Sequence, residues 1–169
     1  MEQNLNKKIE LKDKLVALYT ENKLKIYFII GILLIIFITI IFININNEKK
    51  NNYISEKYVQ AGLFLASDNK EKSKDLYKEI IFSKNKFYST LSLYTLLEKD
   101  LETDNNRVLD YFKIVEKLTK SKSQKDLLIF KKALYLIKIS NIQEGNDLLT
   151  TLVASDSELK NIAEEILSK

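Results

Sequence analysis

The sequence predicts an all-α protein in which one membrane-spanning helix precedes a solenoid of about seven helices. Three observations predict it. Residues 26–45 form an unbroken apolar stretch. From Tyr53 onward, apolar residues recur at helical spacing in runs of about 12–16 residues separated by short polar breaks. Tight-turn residues are scarce, with three Gly and no Pro among 169 residues, which disfavours the hairpins of an all-β fold.

Residues 1–25 form an N-terminal segment with an amphipathic pattern, Leu5, Ile9, Val16 and Tyr19 falling near one helical face. Residues 26–45, IYFIIGILLIIFITIIFINI, hold 17 apolar residues of 20 and no charge. A helix of that length spans about 30 Å, the thickness of a bilayer's hydrocarbon core. The run is longer than a cleavable leader's apolar region and ends in Asn44-Ile45-Asn46-Asn47, without a small-residue cleavage site, so retention as an anchor is expected. Flanking lysines set the expected orientation. Lys7, Lys8, Lys12, Lys14, Lys23 and Lys25 precede the span, whereas Lys49, Lys50 and Lys57 follow it, which puts the N-terminus in the cytoplasm. Residues 46–52, NNEKKNN, read as a polar linker, and 53–169 as the helical domain.

Within that domain the pattern predicts helices near 53–67, 70–84, 86–101, 106–119, 124–139, 142–154 and 156–168. Expected starts include a capping box at Ser155–Glu158, Asn141 with Glu144, and Asp68 with Glu71. Ala61, Phe64, Ser73, Tyr77 and Ile80 recur in the same spacing as Ala133, Leu136, Gly145, Leu149 and Leu152, 72 residues later, or two units of 36. Small residues at Ala61/Ala133 and Ser73/Gly145 suit two helices crossing closely, and the large ones fill the seam with a neighbour. A tetratricopeptide repeat has this design, with a usual period of about 34. The middle unit, near 88–119, is degenerate. Val108, Phe112 and Val115 fit its second helix, its first helix offers Ser92 or Thr95 as the small residue, and Leu101–Asn106 lengthens its turn.

The segment Leu15–Lys23 (LVALYTENK) running directly into a single span, then Tyr58–Phe64 (YVQAGLF) and degenerate helical repeats, resembles the YfgM-like family, an ancillary subunit of the SecYEG translocon. Members often carry Trp where this chain has Leu18 and Tyr19. The resemblance implies a single-pass protein of the bacterial inner membrane with its repeats in the periplasm. It also implies translocon subunits, a membrane-anchored periplasmic chaperone and exported clients as partners. In the repeat frame the concave, protein-binding surface is expected from Ser55, Tyr58 and Leu65 of the first unit and Phe130, Leu134 and Ile137 of the third. Such an apolar groove suits an unfolded segment or a partner helix. For Leu134 and Ile137 the favoured expectation is packing on the last helix, whose Leu159, Ile162, Ala163, Ile166 and Leu167 make one apolar side, as in a solenoid cap.

Composition argues against an enzyme. Without Cys or His there is no thiol nucleophile, no Ser-His pair and no common zinc or haem ligand set, and three isolated glycines make no phosphate loop. No cofactor, metal or small-molecule substrate is expected. Asp100, Glu102 and Asp104 share one turn, yet nothing ties them to a cleft. They also lack the Gly and bidentate Glu of a calcium loop. A Ser-Lys pair at Ser121, Lys122 and Ser123 lies in too polar a stretch to deprotonate the Lys. Net charge is only +4, with one Arg and interleaved signs, so nucleic acid is not an expected partner, whereas membrane lipid is. The expected role is a membrane-anchored protein-binding scaffold for export. A scaffold for another envelope assembly and, remotely, a membrane-anchored hydrolase are the alternatives.

Overall fold

A computed structural model describes the backbone of residues 2–168 and the side chains of residues 14, 16, 19–25 and 27–168. Among the described residues every regular element is a helix: α1 (Glu2–Ala66), α2 (Lys70–Phe82), α3 (Lys86–Glu98), α4 (Asn105–Leu118), α5 (Lys122–Lys138), α6 (Ile142–Ala154) and α7 (Lys160–Leu167). The chain divides into two compact units, Met1–Lys50 and Asn51–Lys169.

The first unit is the N-terminal part of α1, broken at Asn22, where the backbone leaves helical geometry (φ −114°, ψ 16°). Of the expected amphipathic face, Leu5 and Ile9 lie outside the described side chains, while Val16 and Tyr19 are exposed. Among the described residues one helix is long and apolar enough to cross a membrane, and it lies near the N-terminus. Its side chains from Tyr27 to Ile45 are exposed, so within the protein they have no apolar surroundings. Thr39 donates its hydroxyl to the Ile35 carbonyl at 2.8 Å, which satisfies that donor within the helix. Residues 46–52, expected as a linker, are helical instead. Their polarity says nothing against a helix: Glu48, Lys49 and Lys50 are good helix formers and neither Gly nor Pro interrupts the run.

The second unit pairs helices in sequence order. Asn51–Ala66 of α1 meets α2 and α3 through side chains, Tyr58 packing on Tyr77 and Tyr88 with ring centroids 5.5 and 5.6 Å apart. The remaining elements pack as α2–α3, α3–α4, α2–α4, α4–α5, α5–α6 and α6–α7. Ile54, Ala61, Ile80, Leu93, Phe112 and Leu128 belong to one buried cluster, while Ala133, Leu149, Leu152 and Ala163 form another under α7.

The recurring positions are buried at equivalent places. Ser73, Val108 and Gly145 are each the fourth residue of their helices, and Tyr77–Ile80, Phe112–Val115 and Leu149–Leu152 follow at the same spacing, all buried. The turns at Asp68, Asp100 and Ser140 each place one residue at positive φ (57°, 49° and 67°). They close with paired backbone bonds, as in Asn69 N–H to Phe64 O at 2.8 Å with Asp68 N–H to Leu65 O at 3.1 Å. Counting back seven residues from those turns gives Ala61, Leu93 and Ala133, all buried. The middle unit therefore fills the close-crossing position with Leu93, not Ser92 or Thr95. The equivalent position on α4 is Val108, so both small residues of the other two pairs are replaced by large ones in the pair with the longer turn.

Two expected helix starts shift. Asp68 is the left-handed turn residue, and Asn69 caps α2, its side chain accepting from Lys72 N–H at 3.3 Å. The capping box at Ser155–Glu158 does not form. Ser155 ends α6, Asp156 takes positive φ (51°), and α7 begins only at Lys160. The Ser157 hydroxyl, two residues further on, accepts from Leu159 N–H at 3.2 Å. A Ser-x-Ser-x pattern serves the end of one helix as readily as the start of the next, because Ser bonds local backbone in either setting. Asn141 stands at its expected place but makes no backbone cap bond, its amide donating to the Glu144 carboxylate at 2.6 Å.

Candidate protein-binding site

An apolar concavity lies between α3 and α5, the first helices of two successive pairs. Helix α3 is apolar on nearly every side: Ser89, Ser92, Leu93 and Leu96 face the core, and Leu91, Tyr94 and Leu97 line the groove. Two adjoining cavities make it up. One of about 330 Å³ is walled by Phe87, Leu91, Tyr94 and Leu127, and a second of about 220 Å³ by Tyr94, Leu97, Lys131 and Leu134. Tyr94 is common to both. The Lys131 ammonium stands 4.7 Å from the centre of the Tyr94 ring, which holds the cation at the groove wall. Burial pushes the Tyr94 hydroxyl's pKa up, so it stays a neutral donor through ordinary pH. Phe87 is 62 % exposed at one end of the groove, a large apolar side chain without cover.

The six residues expected to form a concave face occupy four settings. Ser55 accepts from the Tyr88 hydroxyl at 2.8 Å, and Tyr58 shares a 3.3 Å hydrogen bond with Thr95, so both are joined to α3. Leu65 is half-buried against the first core cluster. Phe130 and Ile137 pack on the second cluster, which includes Ala163 of α7. Leu134, 39 % exposed, lines the α3–α5 groove. The groove's main contributors, Phe87, Leu91, Tyr94 and Leu97, were not among the six. Their signal was present as a helix too apolar for one buried face.

The acids and the Ser-Lys stretch have structural partners. Only 4 % of the Glu102 side chain is accessible. It accepts from Thr103 and Asp104 N–H at 3.1 and 3.2 Å and from the Tyr111 hydroxyl at 3.5 Å, bracing the long turn. Arg107, the single arginine, stands 3.9 Å from Glu102 and 3.3 Å from Asp104. Asp100 pairs with Lys138. Ser121 caps α5, accepting from Gln124 N–H at 3.4 Å, and Lys122 donates to the Ser155 and Asp156 carbonyls at 3.1 and 3.4 Å, beyond the end of α6. Burial, with the Glu102 charge next, pushes Tyr111 up to about 12.

Compared with known proteins, the chain matches no family model, no curated protein and no solved structure.

Proposed function

We propose that this protein is a membrane-anchored scaffold whose helical unit binds protein segments in the α3–α5 groove. The observation that carries the reading is the groove itself: contiguous apolar cavities walled by Leu91, Tyr94, Leu97, Leu127 and Leu134 and open to solvent. Its dimensions suit side chains of an extended or helical segment, and affinity in such grooves comes from a few apolar anchors. The shared buried positions of the three helix pairs support a tetratricopeptide-like solenoid with α7 as its cap. The apolar helix near the N-terminus serves as the anchor, with the lysine bias directing residues 1–25 to the cytoplasm and the helical unit outward. The resemblance to the YfgM-like family makes translocon subunits and a membrane-anchored periplasmic chaperone the partners to test first.

Site-specific photo-crosslinking from Leu134 or Phe87 in native membranes is the test. Recovery of translocon or chaperone subunits supports the reading, with loss of the adducts on Tyr94→Asp. Recovery of neither, from well-expressed protein, refutes it. The chain has no cysteine, so topology is read directly by single-cysteine labelling with a membrane-impermeant maleimide. Ser155→Cys should label in intact spheroplasts and Lys14→Cys only after lysis. The reverse pattern refutes the orientation.

A further inference from the structure

A second cavity, of about 510 Å³, lies on a different side of α5, against α4 and α6. Its floor is apolar, built from Phe112 of α4, Leu128 and Ile129 of α5, and Leu148 of α6. Its rim carries Lys117 and Lys120 from the end of α4 and the following turn, and Lys125 and Lys132 from one face of α5, with Glu116 the single acid. Among the described residues none of these four ammonium groups pairs with a carboxylate. Elsewhere in the same helical unit Lys57, Lys74, Lys78, Lys113 and Lys138 are each paired. Lys131, one residue before Lys132, is committed to the Tyr94 ring.

We infer that this cavity is a docking site for an acidic amphipathic protein segment, one that inserts an apolar side chain between carboxylates that meet the lysine rim. Charge and shape select this occupant together. An excess of three positive charges around the mouth attracts an anionic partner and steers its approach. A recessed apolar floor rewards an inserted Leu- or Phe-sized group, which a phosphate or a purely acidic chain cannot supply. A flat array of lipid headgroups meets the rim without reaching the floor. The four lysines come from the end of α4, the turn after it and α5, an arrangement that suits a chain laid across the hollow. The site adjoins the α3–α5 groove only at Thr119, which lines both, and shares with the reading above the premise that the helical unit binds protein.

The test uses the full chain in neutral detergent micelles. Fluorescence anisotropy follows a labelled synthetic peptide that alternates Glu or Asp with Leu and Phe. Three further probes are the peptide with its acids replaced by Gln and Asn, the peptide with Leu and Phe replaced by Ser, and micelles doped with phosphatidylglycerol as competitor. Binding by the parent peptide alone is expected, with Lys125→Glu/Lys132→Glu weakening it about tenfold through two lost attractions and two new repulsions. The control Lys70→Glu/Lys99→Glu makes the same change in net charge away from the cavity and should shift Kd less than about twofold. Tyr94→Asp, in the groove, should leave this binding unchanged, so failure here and failure of the groove reading are separable. Equal loss in both charge-reversed variants, binding of the Ser-substituted peptide, displacement by phosphatidylglycerol, or no binding of the parent peptide each overturns the proposal.

Discussion

Gly145 offers the most stringent check on the packing described for α5 and α6. A Cβ built there stands 2.6 Å from Ile137 Cγ1, 2.9 Å from the Ala133 carbonyl oxygen and 3.3 Å from Ile137 N. Optimal carbon–carbon separation is about 3.5–4.0 Å, so the Ile137 contact is too close by about 1 Å. Ala133 O is backbone, so no side-chain rotation relieves that contact and α5 must move away from α6. Overpacking of this kind costs about 1–3 kcal/mol, against which Ala regains up to about 1 kcal/mol of helix propensity over Gly. With the full propensity gain set against it, Gly145→Ala is therefore expected to destabilise the helical unit by up to about 2 kcal/mol. Melting followed by circular dichroism in detergent should show a fall of roughly 3–6 °C per kcal/mol for a unit of this size. Gly62→Ala is the matched control. Its Cβ meets only the Tyr77 hydroxyl, at 3.8 Å, an ordinary contact, so the same exchange should stabilise by up to about 1 kcal/mol. Ile137→Ala with Gly145→Ala should lose less than the sum of the single changes, because Cγ1 is gone when the new methyl arrives. If Gly145→Ala melts at or above the parent temperature, the close crossing of α5 and α6 is wrong.

Other perturbations test separate features. The Ser73 and Ser92 hydroxyls are buried without a hydrogen-bond partner, so Ser73→Ala and Ser92→Ala should each stabilise by about 1 kcal/mol in denaturant unfolding, and a loss contradicts the assigned burial. Lys84 ends α2 at φ 57° with no side-chain feature that favours that geometry, so Lys84→Gly should gain about 0.5–1 kcal/mol, whereas Lys84→Val should lose stability. Alkali gives a further check. Tyr77, Tyr94, Tyr111 and Tyr135 have raised pKa values, chiefly through burial, Tyr111 reaching about 12. Above the ordinary tyrosine value the folded state then holds more protons than the unfolded one, so stability present below pH ~10 is lost as pH rises toward ~12. Tyrosinate absorbance should rise with unfolding, and independent titration of all nine tyrosines at their ordinary value would count against the burial.

Helix positions were legible because each depends on local information. Apolar spacing and Asn, Asp or Ser at the breaks locate α2 to α6 within a few residues of their observed ends. Where local information is ambiguous, the expectation failed. Residues 46–52 are polar yet continue α1, and Ser155–Glu158 carries a start motif that the chain uses to finish α6. The site was less legible than the helices. Ser55 and Tyr58 sit at the register from which a free concave face was expected. In the tertiary structure Tyr88 and Thr95 of α3 take up their polar groups. Tyr94 enters the groove only because α3 exposes a second apolar side to α5.

The sequence by itself determined the helical class, the apolar segment fit to cross a membrane, and the recurring small and large positions, since each follows from composition and period along one chain. Tertiary structure alone decided which lysines stay unpaired, which aromatic residues line a groove, and which glycine touches a neighbour. Those depend on distances between residues far apart in sequence, such as Leu148 and Lys125 lining one cavity or Gly145 over Ala133. Helical periodicity specifies the face a residue occupies; only packing of one helix on the next determines whether that face is covered.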